Sequence, residues 1–334
     1  MPILSQKQNI ICNRLFSQRG GFFYPNNTNM NYYNANTIIY HNGQYVKAAD
    51  AVIDLYSQTM HYGYGVFEGI RSYALHNGAT GIFEAEAHFE RLQKSAQSLN
   101  LPYPFDNQHL VEATYKVLQL NNLQDAYIRP LIYAPANMSF KPNEVSCITI
   151  QAWPMAPFLG ENLLRLMISS YQRPNPKAFL MHAKACGHYV NSILASQEAK
   201  ANGYDEALLL DSNGRIAEGP GANFFLEKEG SLITPAPGHI LAGITRATIL
   251  KLCQALGIAV TQADVNPEDL YTADSAFYCG TAAEVIGIAS INDYSFAKPW
   301  PLTQGALLQK AYALLVRGYS IHQITQQLAP LKAA

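Results

Sequence analysis

The sequence lacks the features that mark membrane, nucleic-acid and disulfide-stapled proteins. No run of about 18 apolar residues occurs, which excludes a transmembrane helix. Charge of either sign is scarce and balanced, 23 Lys+Arg against 24 Asp+Glu for a net −1. Neither a nucleic acid nor an acidic membrane is therefore an expected partner. Cysteine is sparse: Cys12, Cys147, Cys186, Cys253 and Cys279 are far apart, with no Cys-x-x-Cys and no Cys/His pair at zinc spacing. A disulfide framework and a bound metal are not expected, and the thiols read as reduced, in a cytoplasmic protein. The P-loop and Gly-x-Gly-x-x-Gly patterns are also missing.

Acid is missing from the start of the chain, where Asp50 is the first. Lys7, Arg14, Arg19 and Lys47 stand there with an Asn-rich stretch from Pro25 to Asn36. No amphipathic Arg-rich helix accompanies them, so residues 1–33 read as an accessory tail rather than a targeting segment, with Met30 an internal start.

What is present is core material: 334 residues, 49% hydrophobic and 14% charged, enough for two domains at about 150 residues each. Thr37–Tyr40 and Gln44–Val46 flank a His-Asn-Gly turn as two strands. Phe89, Leu92, Ala96 and Leu99 recur at helical spacing within Glu84–Leu99, and Leu110, Thr114, Val117 and Leu118 within Gln108–Leu120. Strands follow at Ala126–Tyr133 and Cys147–Ala152. Two prolines and a glycine in Trp153–Gly160 then mark a linker. Beyond it come a strand at Leu164–Ser170, a helix at His188–Ala201, and strands at Ala207–Leu210 and Asn223–Leu226 around an Asp-Ser-Asn-Gly turn. A helix runs from Gly243 to its C-cap at Gly257. Strands at Ile258–Gln262, Ala276–Cys279 and Glu284–Ala289 precede a last helix over Leu302–Val316. This α/β (α+β) pattern divides into a small domain over residues 34–153, a linker over 154–164 and a large domain over 165–334.

Four segments carry chemistry. Lys184 has Ala183, Ala185, Cys186 and Gly187 as neighbours, and no acid lies between Lys177 and Glu198. A desolvated, unpaired lysine has a lowered pKa, and its neutral amine attacks carbonyls; the segment also fits a surface lysine in a glycine loop. Leu241-Ala-Gly-Ile-Thr245 opens a helix, and Gly280-Thr-Ala-Ala283 follows a strand; two such turns suit a phosphate. Glu218, set among glycines in Ala217–Asn223, is either an ordinary turn acid or the partner of a protonated ring nitrogen. His61–Arg71 packs aromatics among glycines and is either a pocket wall or turn-rich core.

Taken in order, these segments resemble the branched-chain amino acid aminotransferases, fold type IV pyridoxal-phosphate enzymes. The resemblance rests on His61–Tyr73, Glu90-Arg-Leu92, Ala126–Leu131, Ala183–Tyr189, Glu218–Asn223, Leu241–Arg246 and Gly280–Glu284. It covers about residues 36–318. It implies two α/β domains with pyridoxal 5′-phosphate in the cleft between them, and a homodimer or larger homo-oligomer in which a residue or two of each site comes from the neighbour. Lys184 is implied to be the catalytic lysine that joins the cofactor and moves the proton. Arg91 with the N–H groups of Ile244, Thr245 and Thr281 would hold the phosphate, Tyr189 the ring hydroxyl and Glu218 the ring nitrogen. Thr281 and Ala282, helped by Tyr127, would take the substrate α-carboxylate. Tyr62 and Phe67 would wall the side-chain pocket, and Arg129 would meet a distal carboxylate. The implied reaction is amino transfer between L-leucine, L-isoleucine or L-valine and 2-oxoglutarate.

Two departures stand out. Phe158 occupies a place where the bacterial enzymes usually carry a tyrosine that helps bind the distal carboxylate, and the loop Ala134–Pro142 is not glycine-rich. The alternatives within the fold are a D-amino-acid or (R)-amine aminotransferase and an aminodeoxychorismate-type lyase. The former tends to place a cationic trap in the loop after the Arg129 strand, and residues 132–140 offer none. The aromatics Tyr62, Phe67 and Phe158 suit a neutral side chain better than the lyase's substrate. A cofactor carrier would be expected to lack Lys184 or Glu218, and both are present.

Overall fold

A computed structural model describes residues 32–156 and 158–332. Apart from Tyr32 and Tyr33, the tail and Met30 lie outside the described residues, as does Pro157 of the linker.

The first half of the chain builds one sheet. Its elements are β1 (Ile38–His41), β2 (Gln44–Lys47), α1 (Gln58–Tyr62), β3 (Gly65–Phe67), β4 (Ile70–Ala74), β5 (Thr80–Ile82), α2 (Ala85–Ser98), α3 (Asn107–Leu120), β6 (Ala126–Tyr133) and β7 (Cys147–Pro154). The sheet order is β2-β1-β7-β6-β4-β5, with β3 also on β6. Strands β6 and β7 pair antiparallel from Ala126↔Pro154 to Tyr133↔Cys147. Alternation along β6 sends Ile128 and Ile132 into the core beneath α2 and α3, and turns Tyr127, Arg129, Leu131 and Tyr133 toward a cavity. Phe89, Leu92 and Ala96 of α2 and Leu110, Val117 and Leu118 of α3 fill the other side. Each fully buried large aliphatic or aromatic side chain contributes about 1.5–3 kcal/mol.

The second half builds another sheet from β8 (Leu164–Ile168), β9 (Glu206–Leu210), β10 (Ile216–Glu218), β11 (Asn223–Lys228), β12 (Ser231–Pro235), β13 (Val260–Ala263), β14 (Ser275–Gly280), β15 (Glu284–Ile291) and β16 (Tyr294–Ser295). Its helices are α4 (Tyr189–Ala201), α5 (Ile244–Leu256), α6 (Gln304–Val316) and α7 (Ile321–Lys332). The order is β10-β9-β8-β15-β14-β11-β12-β13, and β10 pairs with β11 as well, so six strands close into a ring. A register shift at Ile216/Glu218 against β9, with the pair Glu218↔Asn223 on the other side, fixes Glu218 at the ring's rim.

Most expected elements are observed, with ends moved by a residue or two. The short elements α1, β3, β4, β5, β10, β12 and β16 have no counterpart in the sequence pattern. Residues 302–316 do not carry the final helix: Gly318, at φ 87°, turns the chain into α7. Cys147, Cys186, Cys253 and Cys279 are free thiols.

Candidate active site

A cavity of about 1230 Å³ lies against both sheets and is lined by Lys184. Little regular structure precedes this lysine, and neighbours hold its backbone. The Lys184 N–H donates to Ser95 Oγ of α2 at 3.1 Å, and its carbonyl accepts from the Phe67 N–H at 3.1 Å. A single 3₁₀ turn, Cys186–His188, then starts α4 at Tyr189. That turn brings Tyr189 Oη to 2.8 Å from Lys184 Nζ. The Phe67 ring centroid lies 5.2 Å from Nζ and 4.7 Å from the Tyr189 ring. No ion pair among the described residues involves Lys184. An amine without a carboxylate partner, ringed by aromatics, is suited to attack a carbonyl.

One end of the cavity is a cradle for an anion. Gly243 caps α5 without a side-chain hydrogen bond. The first-turn N–H groups, including those of Ile244 and Thr245, therefore have no intrahelical acceptor. A Cβ on Gly243 would lie 2.0 Å from Asn223 Oδ1, so only glycine permits this approach. Beside the cradle, Arg91 donates from Nε and Nη2 to Glu68 at 2.6 and 2.8 Å, and from Nη1 to the Ala242 carbonyl at 2.9 Å. Of its five N–H groups, two remain without a partner among the described residues. His88 Nδ1 donates to Glu68 at 2.8 Å. Burial alone would raise the Glu68 carboxyl, but Arg91 and His88 hold it well below the usual carboxylate range. Burial lowers His88, which stays neutral.

Glu218 forms the other end. It is buried, pairs with Arg173 Nη2 at 3.0 Å, and accepts from Asn223 Nδ2 at 2.9 Å and from the Leu241 N–H at 3.1 Å. Burial pushes its carboxyl above the ordinary value, while Arg173 and the Leu241 N–H pull it down.

Arg91, Tyr189, Glu218, Ile244, Thr245, Thr281, Phe67, Tyr127, Arg129, Phe158 and Ala282 all line the cavity with Lys184. The Arg129 guanidinium lies 4.6 Å from the Phe67 ring centroid, 5.2 Å from Tyr127 and 5.9 Å from Trp153, and donates to Tyr127 Oη at 3.1 Å. Phe158 is fastened to the Gly280–Ala283 turn by its N–H, which donates to the Ala282 carbonyl at 2.8 Å.

Tyr62 is the exception. It is half exposed, its hydroxyl donates to the Met138 carbonyl at 3.4 Å, and its ring packs 5.7 Å from Phe140. It does not line this chain's cavity. Gly63 ends α1 in the left-handed region at φ 66°, and a Cβ there would meet Gly187 Cα at 2.7 Å. That close crossing leaves Tyr62 on the outer side.

Glu68, His88, Gly69, Arg173, Asn223 and Trp153 were not singled out from the sequence. Glu68, Gly69 and Asn223 lie inside quoted motifs, whereas Arg173, in Arg173-Pro-Asn-Pro, carries no local signal.

The residues fit pyridoxal 5′-phosphate. A free amine stands beside a phenol, a guanidinium with unused donors borders a bare helix N-terminus, and a buried acid faces the same cavity.

The chain is similar to known proteins over most of its length. A family model described as "Amino-transferase class IV" matches residues 65–291. A branched-chain-amino-acid aminotransferase of Pseudomonas aeruginosa is 38% identical over 289 residues, covering 84% of this chain and 93% of the relative. The branched-chain aminotransferase of Thermoproteus uzoniensis, solved with norvaline, superposes with a TM-score of 0.81 at 33% identity, over 84% of this chain and 95% of that one. The branched-chain amino acid aminotransferase of Thermobaculum terrenum in its PLP form gives 0.79 at 33% identity, over 87% and 97%. The chain belongs to the class IV aminotransferase family.

Proposed function

We propose that this enzyme reversibly transfers the amino group between branched-chain L-amino acids and 2-oxoglutarate, using pyridoxal 5′-phosphate. The observation that carries the reading is Lys184 Nζ, without a carboxylate partner among the described residues and 2.8 Å from Tyr189 Oη, in one cavity with the Arg91–α5 cradle. The relatives' names supply the substrate class.

When bound, the cofactor supplies an aldehyde that captures the amino group and a ring that accepts the electrons left at Cα. The chain's own residues do the rest. Arg91, the N–H groups of Ile244 and Thr245 and the Thr281 hydroxyl hold the phosphate. Glu218 faces the ring nitrogen, and Tyr189 holds the ring hydroxyl and orients Nζ. Lys184 Nζ takes the proton from the substrate Cα and returns it on the other side of the transfer. The N–H groups of Thr281 and Ala282, with Tyr127, take the α-carboxylate. Phe67 walls the aliphatic side chain. Arg129, with aromatic rings around it and no carboxylate partner among the described residues, tolerates a neutral side chain in one half-reaction and pairs with a distal carboxylate in the other.

This reading includes the division into domains 34–153 and 165–334 joined by 154–164. It also includes a homodimer, in which the exposed Tyr62, Met138 and Phe140 meet a second copy. No helix among the described residues is long and apolar enough to cross a membrane. Free thiols agree with a cytoplasmic enzyme. The test is an assay of L-glutamate formed from 2-oxoglutarate with L-leucine, L-isoleucine or L-valine. Formation with all three is expected; glutamate from none of them overturns the substrate assignment.

A further inference from the structure

Behind Glu218, the Arg173 guanidinium is buried and lines the same cavity. Its backbone N–H is tied to the Leu210 carbonyl at 2.7 Å, which continues the β9 edge. Its side chain has one partner among the described residues, the Glu218 carboxylate at 3.0 Å, and its Nε is buried without a hydrogen bond. A buried ion pair with an unmade N–H is a poor device for stability, since desolvation of both charges is not fully offset. Such a breach of polar satisfaction belongs at a working site.

The charges around Glu218 leave no substitute. Arg246 of α5 is engaged by Thr234 Oγ1, the Pro235 carbonyl and Gln262 Oε1. Lys184 is the amine that must be free to react. Tyr278 of β14 donates to the Ala207 carbonyl, and Asn223 and the Leu241 N–H are neutral donors. His188, beside Arg173, is held neutral because burial pushes it down to about 4.

We propose that Arg173 is a positioning residue for the transfer. Its guanidinium favours the ionised form of Glu218 and fixes the carboxylate that faces the pyridine nitrogen, and so sets how strongly the ring withdraws electrons. Arg173 acts only through Glu218 and touches no substrate. The proposal rests on the pyridoxal-phosphate reading and adds the residue that controls its acid end.

The test reconstitutes the enzyme with ¹⁵N-labelled pyridoxal phosphate and reads the ring-nitrogen resonance across the neutral pH range, with kcat and KM for L-leucine alongside. The unaltered enzyme is expected to show a protonated ring throughout, and a neutral ring overturns the proposal. Arg173→Met is expected to move the resonance toward neutral pyridine and to lower kcat by about 10²-fold, the scale of losing one aligned electrostatic group, with KM little changed. Arg173→Lys, which restores the charge, is expected to recover the protonated ring. Should Arg173→Met fail to fold, this variant decides, and a neutral ring in it overturns the assignment. The double variant Arg173→Met/Glu218→Gln is expected to be no slower than Glu218→Gln alone; a further 10²-fold loss overturns the claim that Arg173 works through Glu218. Binding of the cofactor without turnover of leucine refutes the substrate assignment only, and the nitrogen resonance still decides Arg173. Failure to bind the cofactor overturns both.

Discussion

Glu68 and Arg91 meet through two hydrogen bonds, Nε to Oε1 at 2.6 Å and Nη2 to Oε2 at 2.8 Å, with the carboxylate wholly buried. Glu68 follows β3, whose Phe67 lines the cavity, while Arg91 lies on α2 and borders the anion cradle. The pair thus ties the two halves of the pocket together.

Removing one partner of such a pair leaves a buried charge uncompensated, at a cost of about 3–5 kcal/mol. Glu68→Gln is expected to weaken pyridoxal-phosphate binding and to lower stability by that order. The folded-state value of Glu68 is depressed, so its contribution is present above the unfolded carboxylate value and is lost as pH falls through the folded one. Denaturant titrations should therefore show the gap between wild type and Glu68→Gln widest at neutral pH and narrowing in strong acid. A gap that grows on acidification would contradict the pairing.

Lys184→Ala is expected to abolish turnover and the borohydride-reducible link between cofactor and chain. A reducible adduct at full strength in that variant would show that another amine does the chemistry. Tyr189→Phe removes the 2.8 Å bond to Nζ together with the hydroxyl proposed to hold the cofactor's ring oxygen. A bond worth about 1–1.5 kcal/mol corresponds to roughly a tenfold lower kcat, with Lys184 still reducible.

Gly69 is the only residue type that leaves Tyr127 where it is, because a Cβ there would lie 2.1 Å from Tyr127 Oη. Gly69→Ala should push the phenol off Arg129 and raise KM for amino acids and 2-oxoacids alike, by about tenfold. Cofactor affinity, measured by fluorescence titration, should barely move. Equal loss of both would mean that the substitution disturbs the whole fold.

Periodic elements could be read from the chain, and contacts between distant segments could not. Leu110, Thr114, Val117 and Leu118 announce α3, and Gly257 takes the expected left-handed C-cap at φ 66°. Strands β3 and β4 were hidden, since the glycines and aromatics of His61–Arg71 show no period of two. β10 spans three residues and exists only because β9 and β11 flank it. The motif residues converge on one cavity, but Arg173 reaches it from a proline-rich loop with no signature. Tyr62 lies outside this chain's own cavity, and an aromatic in a motif does not reveal which way a left-handed glycine turns the chain.

Phe158→Tyr would add a hydroxyl on the segment fastened to the Ala282 carbonyl. One added hydrogen bond of about 1 kcal/mol to a distal carboxylate should lower KM for glutamate about fivefold, leaving leucine nearly unchanged. An effect on leucine alone would show that this segment faces the aliphatic side chain.

The most direct measurement is the absorbance spectrum of the purified holoenzyme before and after adding L-leucine, with D-alanine in a parallel cuvette. The account predicts conversion of the pyridoxal-form band to the pyridoxamine-form band with L-leucine alone. Conversion with D-alanine instead, or a band that neither compound changes, would contradict it.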